Sequence, residues 1–457
     1  MRREHWSILL ATLIGLPAIW GRFSLDLQHV APAEGIALYG LAIVGAAFLL
    51  TWGAELAEME MSPNLALVVL ALVAVLPEYA VDMYYSWSAG TFRAAPGVVN
   101  ANQAYALANM TGANRVLIGL GWPVIALIAW QRNQRTAIRL ELARSVDIFF
   151  LFIATLYSIA IPLKGTITVV DTVFFLSLYG VYLFISSKVP SRDTHMVGPA
   201  AMIAEWARGP RVAMTWGFFL VSVTVITCAS EPFAVSLVET GKRFGIDEFL
   251  LVQWLAPFAS ESPEFLAVIL LTLKGAATDG LGALVSSKVN QWSLLVGMVP
   301  LAFALGHLHT GQGWQGGFAL DGRQSEELIL TSTQSFYAIT AILSYRFRLA
   351  DALGLMVLFL VQLWGTMGLE ETGRHALITP WHYSLSAIYV ALGVVRLIHH
   401  RRFLPAVMRG ALWLDSSSYE AVVGGVEHEA EVLTLAAEGP EASPDKEAEV
   451  RGEWSGR

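Results

Sequence analysis

Long apolar runs, broken by short polar turns, recur along the whole chain up to about residue 400. Twelve reach the roughly 20 residues needed to cross a hydrocarbon core: 7–22, 34–56, 63–88, 98–130, 146–162, 166–187, 213–239, 246–273, 277–306, 326–344, 349–369 and 381–398. The pattern predicts an all-α polytopic membrane protein of about twelve transmembrane helices. A mean hydropathy of +0.56 and only 14% charged residues, against about 25% in soluble domains, agree with it. Run 7–22 follows Arg2 and Arg3 as a signal peptide would, but no small-x-small cleavage site follows Trp20, so it reads as a retained helix.

Charge refines this picture. The net charge of −8 resides in the tail: Asp415–Arg457 carries 11 acidic and 3 basic residues, and the preceding residues hold 26 of each sign. A neutral membrane part gives no sign of nucleic-acid binding. With the N-terminus cytoplasmic, the twelve runs leave seventeen Lys/Arg on the cytoplasmic side and seven opposite, the bias that orients membrane proteins. The expected location is a plasma or inner membrane, with both termini cytoplasmic. Cys228, the single cysteine, allows neither an intramolecular disulfide nor a thiolate metal site.

The runs also repeat. Thr51-Trp-Gly-Ala-Glu55 leads to Leu76-Pro-Glu78, then to Thr111-Gly-Ala-Asn-Arg115 and Gly121; Cys228-Ala-Ser-Glu231 leads to Ser262-Pro-Glu264, then to Ser287-Lys-Val-Asn-Gln291 and Gly297. Each half supplies five runs, and five is odd, so the halves enter the membrane from opposite sides. That is the inverted repeat of secondary transporters, which bind substrate near the bilayer midplane. The expected organisation is an extra helix in 1–33, a first repeat 34–187, a cytoplasmic linker 188–212, a second repeat 213–369, a second extra helix in 370–410 and an acidic, disordered tail 411–457.

Each repeat carries a glutamate directly after a proline inside an apolar run. A carboxylate there costs several kcal/mol unless it meets a cation, a partner or water. Pro77 and Pro263 free backbone carbonyls, which with carboxylates make hard oxygen donors suited to Na+ and Ca2+. Helical spacing puts Ser260, Glu261 and Glu264 on one face, Ser287 and Gln291 on another, Glu78 with Asp82, and Thr111 with Arg115. The bland alternatives are structural: the glutamates pairing with Arg115 or Lys288, and Ser287 and Gln291 cementing helices as polar residues in membranes do. Glu55 and Glu231 read as structural or gating residues of peripheral helices. The candidate ligands of a transported cation are therefore Glu78, Glu264, Ser260, Glu261, Ser287, Gln291, Asp82 and Thr111, with Arg115 and Lys288 modulating the site.

At this point a family resemblance enters. Ala256-Pro-Phe-Ala-Ser-Glu-Ser-Pro-Glu264 resembles the Gly-Thr-Ser-x-Pro-Glu motif of the sodium/calcium exchanger superfamily, and Ser286-Ser-Lys-Val-Asn-Gln291 its Gly-Ser-Asn-x-x-Asn/Asp motif. The resemblance covers runs two to eleven. It implies ten core helices, ion ligands from the Pro-Glu helices and their successors, and alternating-access antiport of Ca2+ against Na+ or H+. No further cofactor is implied, and the expected partners are the transported cations and membrane lipids. The departures are specific. Ala74-Val75 stands where hydroxyls belong, about ten residues near Ala89–Val98 are inserted in the first repeat, and Lys288 replaces an asparagine. Anchoring the repeats on Gly121 and Gly297 pairs Thr111 with Ser287 and Arg115 with Gln291, the register preferred here. Anchoring on Gly112-Ala-Asn114 instead puts Ala113 and Leu117 at ligand positions. In the preferred register Arg115 faces Glu78 and displaces one bound ion. A Na+/H+ antiporter on the same scaffold is the alternative. An intramembrane enzyme would need His-Glu-x-x-His, a Ser/Lys pair or an Asp-rich loop, and none lies within the runs.

Overall fold

The computed structural model of the chain describes residues 2–24, 31–59, 76–93, 100–134, 136–188, 196 and 198–412. The expected start of the second repeat-one helix at 63–75, the insertion at 94–99, most of the first part of the linker and the acidic tail from 413 lie outside these residues.

Helix α1 (Arg2–Ser24) precedes a series that runs α2 (Pro32–Glu58), α3 (Leu76–Thr91), α4 (Ala101–Val116), α5 (Trp122–Asn133), α6 (Ser145–Lys164) and α7 (Val169–Ser186). After α8 (Pro199–Ala204) the same order returns as α9 (Arg208–Phe244), α10 (Glu248–Leu273), α11 (Ala277–Asn290), α12 (Val296–His309), α13 (Gly322–Ile342) and α14 (Leu349–Glu371). Helices α15 (Ile378–His400) and α16 (Leu404–Ala411) follow. The chain is thus two inverted repeats with added helices at both ends.

Local sequence explains the boundaries. Thr168 and Asp171 form a capping box that starts α7, and Asp321 with Gln324 does the same for α13, each satisfying otherwise orphaned amide groups. Gly165 and Gly245 end α6 and α9 in the left-handed conformation, which a glycine adopts without Cβ strain. Around Pro263, α10 bends by 53° between Glu248–Ser262 and Glu264–Leu273, as expected where proline deletes a ladder hydrogen bond. Runs 98–130 and 277–306 do not break at their polar stretches. Each passes through a five-residue π-turn, Leu117–Gly121 between α4 and α5 and Gln291–Leu295 between α11 and α12.

The halves interlock. Strand β1 (Ala137–Arg139) pairs antiparallel with β4 (Arg346–Arg348), and β2 (Thr166–Thr168) with β3 (Gly317–Ala319). Exchanging the halves exchanges the two pairs. Helix α9 packs along α2, α12 against α3, and α10 against α4. At the last contact a Cβ on Gly112 would lie 1.7 Å from the Gln253 carbonyl oxygen, so only glycine lets these helices approach so closely.

Among the described residues, eight helical stretches are long and apolar enough to span a membrane, or nine if the bent α10 counts as one. Runs 7–22, 63–88 and 326–344 are not among them. Only residues 76–88 of the second fall in a described helix. In the third, α13 replaces apolar surface by Glu326, Glu327, Thr331, Gln334 and other buried polar groups. It tolerates them because neighbouring helices surround it and lipid does not.

Candidate functional site

The bend in α10 and the start of α3 bring three carboxylates of the Pro-Glu helices into one buried region. Glu78 and Glu261 are 2% and 4% exposed, and Glu78 lies in the fields of Glu261, Asp82 and Glu264. Neither oxygen of Glu78 receives a hydrogen bond from a neighbouring donor. Its carboxyl lies close enough to that of Glu261 for the two to share a proton.

In the second half the carboxylates are supported by α11 and its π-turn. Ser287 Oγ donates to Glu264 Oε2 at 3.1 Å, and Gln291 Nε2 donates to Glu261 Oε1 at 2.5 Å. Lys288, fully buried, donates to Asn114 Oδ1 at 2.5 Å and to the Asn114 carbonyl at 3.3 Å, with its ammonium 4.4 Å from the centre of the Trp292 ring. It also lies in the fields of Glu78 and Glu261. The ammonium is thus held at the edge of the acidic region by a neutral oxygen and an aromatic face.

The remaining candidates stand apart. Asp82, one turn along α3, accepts from Asn109 Nδ2 at 2.8 Å. Thr111 donates back to Leu107 and Ala108, and Ser260 back to Ala256 and Pro257, so both hydroxyl protons are used within their own helices. Glu78, Glu261, Glu264, Ser287, Gln291 and Lys288 are therefore brought together, while Thr111 and Ser260 spend their protons on their own backbone.

Two expectations are corrected. Arg115 does not pair with Glu78: its Nη2 lies 2.5 Å from Glu327 Oε2 on α13, and its guanidinium is 4.9 Å from the Trp254 ring centre. A buried guanidinium goes to the acid its helix face meets, and that face of α4 is turned toward α13 and α10. The preferred register also fails. Superposing the two π-turns sets Leu117 against Gln291 and Asn114 against Lys288, and the latter two touch, 174 positions apart. The register anchored on Gly112-Ala-Asn114 is the structural one, so Ala113 and Leu117 occupy the places of Ser287 and Gln291. Gly121 closes its π-turn whereas Gly297 lies two residues beyond the end of the other, so the two glycines are not equivalent positions.

Glu326 and Glu327 were missed in the sequence. Two adjacent acids at the start of run 326–344, with an intramembrane arginine needing a partner, were the available signal.

The family model described as sodium/calcium exchanger protein matches residues 33–188 and 214–368. A crystal structure of an H+/Ca2+ exchanger, CAX, is 36% identical, with 92% of this chain and 99% of that one covered and a TM-score of 0.80. Native YfkE shares the fold at 13% identity and a TM-score of 0.54, over 78% of this chain and 98% of its own. No match was found among curated protein sequences. With a family match over more than half its length, in two segments that each carry a Pro-Glu helix and a π-turn, the chain belongs to the sodium/calcium exchanger family.

Proposed function

We propose that the chain is a secondary antiporter that exchanges Ca2+ for H+ by alternating access, with Glu78, Glu264 and Glu261 as the principal ligands. The convergence of these three carboxylates, two of them buried, Glu264 half-buried and Glu78 without any donor, carries this reading. Ca2+ takes six to eight hard oxygen ligands, carboxylates foremost. When it leaves, the carboxylates need protons, because uncompensated buried charge costs several kcal/mol. Ser287 and Gln291 hold the second-half carboxylates in place, and Asp82 lines the approach along α3.

The counter-ion follows from ligand supply. A site for several Na+ ions needs many neutral oxygens. Here Ala74-Val75 stands where hydroxyls belong in the first repeat, and the Lys288 amine occupies the edge of the acidic region, bonded to Asn114. The 36% identity to an H+/Ca2+ exchanger supports the same choice. Lys288 also favours the second reading, Na+/H+ antiport, since a fixed ammonium lowers the charge the site can accept.

The proposed arrangement has repeats 34–187 and 213–369 joined by a cytoplasmic linker 188–212, with both termini cytoplasmic in a plasma or inner membrane. Uptake of radiolabelled Ca2+ into proteoliposomes is the test. An outward-directed pH gradient drives uptake if the proposal holds. Uptake driven by Na+ alone refutes the H+ assignment, and Na+-driven proton flux without Ca2+ uptake establishes the second reading. Cysteine labelling that places 188–212 opposite the C-terminus sinks the topology.

A further inference from the structure

Outside the ion site, a second set of buried charges lies where α4 and α13 meet α14 and the added helix α15. Arg115, Glu326, Glu327 and His382 are 0%, 3%, 2% and 1% exposed. Arg115 pairs with Glu327 at 2.5 Å. His382 Nδ1 lies 3.5 Å from Glu326 Oε1 and 3.8 Å from Glu327 Oε1, and its Nε2 is 2.9 Å from Thr366 Oγ1 on α14. All four contribute polar atoms with no hydrogen-bond partner: Arg115 Nε, Nη1 and Nη2, Glu326 Oε2, Glu327 Oε2 and His382 Nδ1.

We propose that Arg115, Glu326, Glu327 and His382 form a second proton-binding site, distinct from the ion site and completed by the helix that follows the matched exchanger segments. One guanidinium facing two carboxylates leaves one negative charge in a water-poor interior, and a single proton neutralises it. The bond to Thr366 can be donated from either side, so the tautomer decides what Nδ1 presents to the carboxylates. An imidazole that donates Nε2–H to Thr366 turns the Nδ1 lone pair toward two carboxylates, a repulsive arrangement. Protonation at Nδ1 converts it to an ion pair with Glu326 while the Thr366 bond is kept. The orphaned donors and acceptors around it are the kind that ordered water satisfies.

Among the neighbouring charges Arg323 reaches the cluster through its field on Glu327, but its own ion pairs are with other acids. One turn outward on α13, Arg323 is bound to Asp247, at the cap of α10, and to Glu370 of α14, and His375 interacts with Glu370. Tyr389 of α15 lies in the field of Arg115. On α6, Asp147 accepts from Tyr182 and Arg144, and Lys164 pairs with Asp171. The cluster is nevertheless one residue from the ion site, because Asn114, next to Arg115, holds Lys288, and Lys288 lies in the field of Arg115. A proton gained or lost at His382 thus changes the field on the helix that holds the ion-site ammonium.

The inference does not depend on which cation is carried, and its test needs no transport. Full-length protein with isotope-labelled histidine, purified in detergent, is followed by NMR over roughly pH 5 to 9, the range in which imidazoles titrate. The His382 resonance is the one lost in His382→Gln. Expected is a titration that persists in the Glu78→Gln/Glu264→Gln double variant and whose midpoint falls by about one pH unit or more in Glu326→Gln, the effect of removing a close buried negative charge. If His382→Gln fails to fold, Thr366→Val identifies the resonance by its changed Nε2 environment. A His382 that holds one protonation state throughout, or one whose midpoint responds to Glu78 and Glu264 but not to Glu326, overturns the proposal.

Discussion

In the second repeat Glu264 accepts from Ser287 and Glu261 from Gln291, so each acid has a donor from the following helix. In the first repeat Glu78 has no donor, Thr111 bonds its own backbone, and Ala113 and Leu117 stand where Ser287 and Gln291 do in the second. The one strong donor on that side, Arg115, is spent on Glu327. Two halves with the same helix order and the same π-turn have therefore diverged in chemistry. The second half holds its carboxylates with donors, while the first leaves Glu78 without one. A carboxylate without a donor in a low-dielectric interior is the group most dependent on a cation or proton, so under the proposed function charge compensation falls mainly to Glu78 and ion geometry mainly to the α10–α11 side.

The largest expected effect comes from removing either proline-linked acid. Glu78→Gln and Glu264→Gln each keep size and remove charge. Loss of one member of a buried charged constellation costs about 3–5 kcal/mol, roughly a hundredfold or more in ion affinity. Ca2+ uptake in proteoliposomes should fall to background at unchanged expression. Normal transport by the double variant would show that the ions bind elsewhere.

Next is Arg115→Asn. With its partner gone, Glu327 is left as a buried charge facing His382, and a loss of about 3–5 kcal/mol in stability is expected. Thermal unfolding in detergent would record it as a lower midpoint, partly restored by Glu327→Gln in the same chain. Calorimetry should give an unchanged number of bound ions. An altered ion number would instead place Arg115 in the ion site, against its observed pairing.

Lys288→Met tests the boundary between the halves. It removes the fixed positive charge held by Asn114 and Trp292, so the site should accept one more positive charge per cycle. The reversal potential of reconstituted exchange reports that charge directly, and an unmoved potential would put Lys288 outside the transport cycle.

The smallest effects sharpen the asymmetry itself. Ser287→Ala and Gln291→Leu each delete one supporting hydrogen bond and should weaken Ca2+ binding by about 0.5–1.5 kcal/mol, or up to about 3 where the acceptor is charged. Thr111→Val and Ser260→Ala delete hydroxyls bonded to their own backbone and should leave binding within about twofold, in line with the small net worth of such local bonds. Equal losses for all four would mean that the halves are equivalent after all.

The residues Pro77-Glu78 and Pro263-Glu264 were legible because charge inside an apolar run is rare and needs a reason, and the repeated order of motifs announced the inverted halves. Run 326–344 was expected as a span, and Glu326 and Glu327 at its edge were given no role. Their burial depends on helices from three other parts of the chain. The register between the repeats was misjudged for a related reason. Motif letters fix spacing along the chain, whereas equivalence depends on helix geometry: Gly121 ends one π-turn and Gly297 lies two residues past the other.

The sequence by itself determined what is written in hydrophobicity and order: a membrane protein, a repeated order of motifs, and carboxylates at proline breaks, because bilayer solvation acts on each segment separately. Only the tertiary structure decided which partner each buried charge has. Arg115 goes to Glu327, Lys288 to Asn114, and His382 to the Glu326–Glu327 pair. Such choices are made by which helix faces meet, and an ion pair in a low-dielectric interior is decided by angstroms of approach that no one-dimensional pattern records.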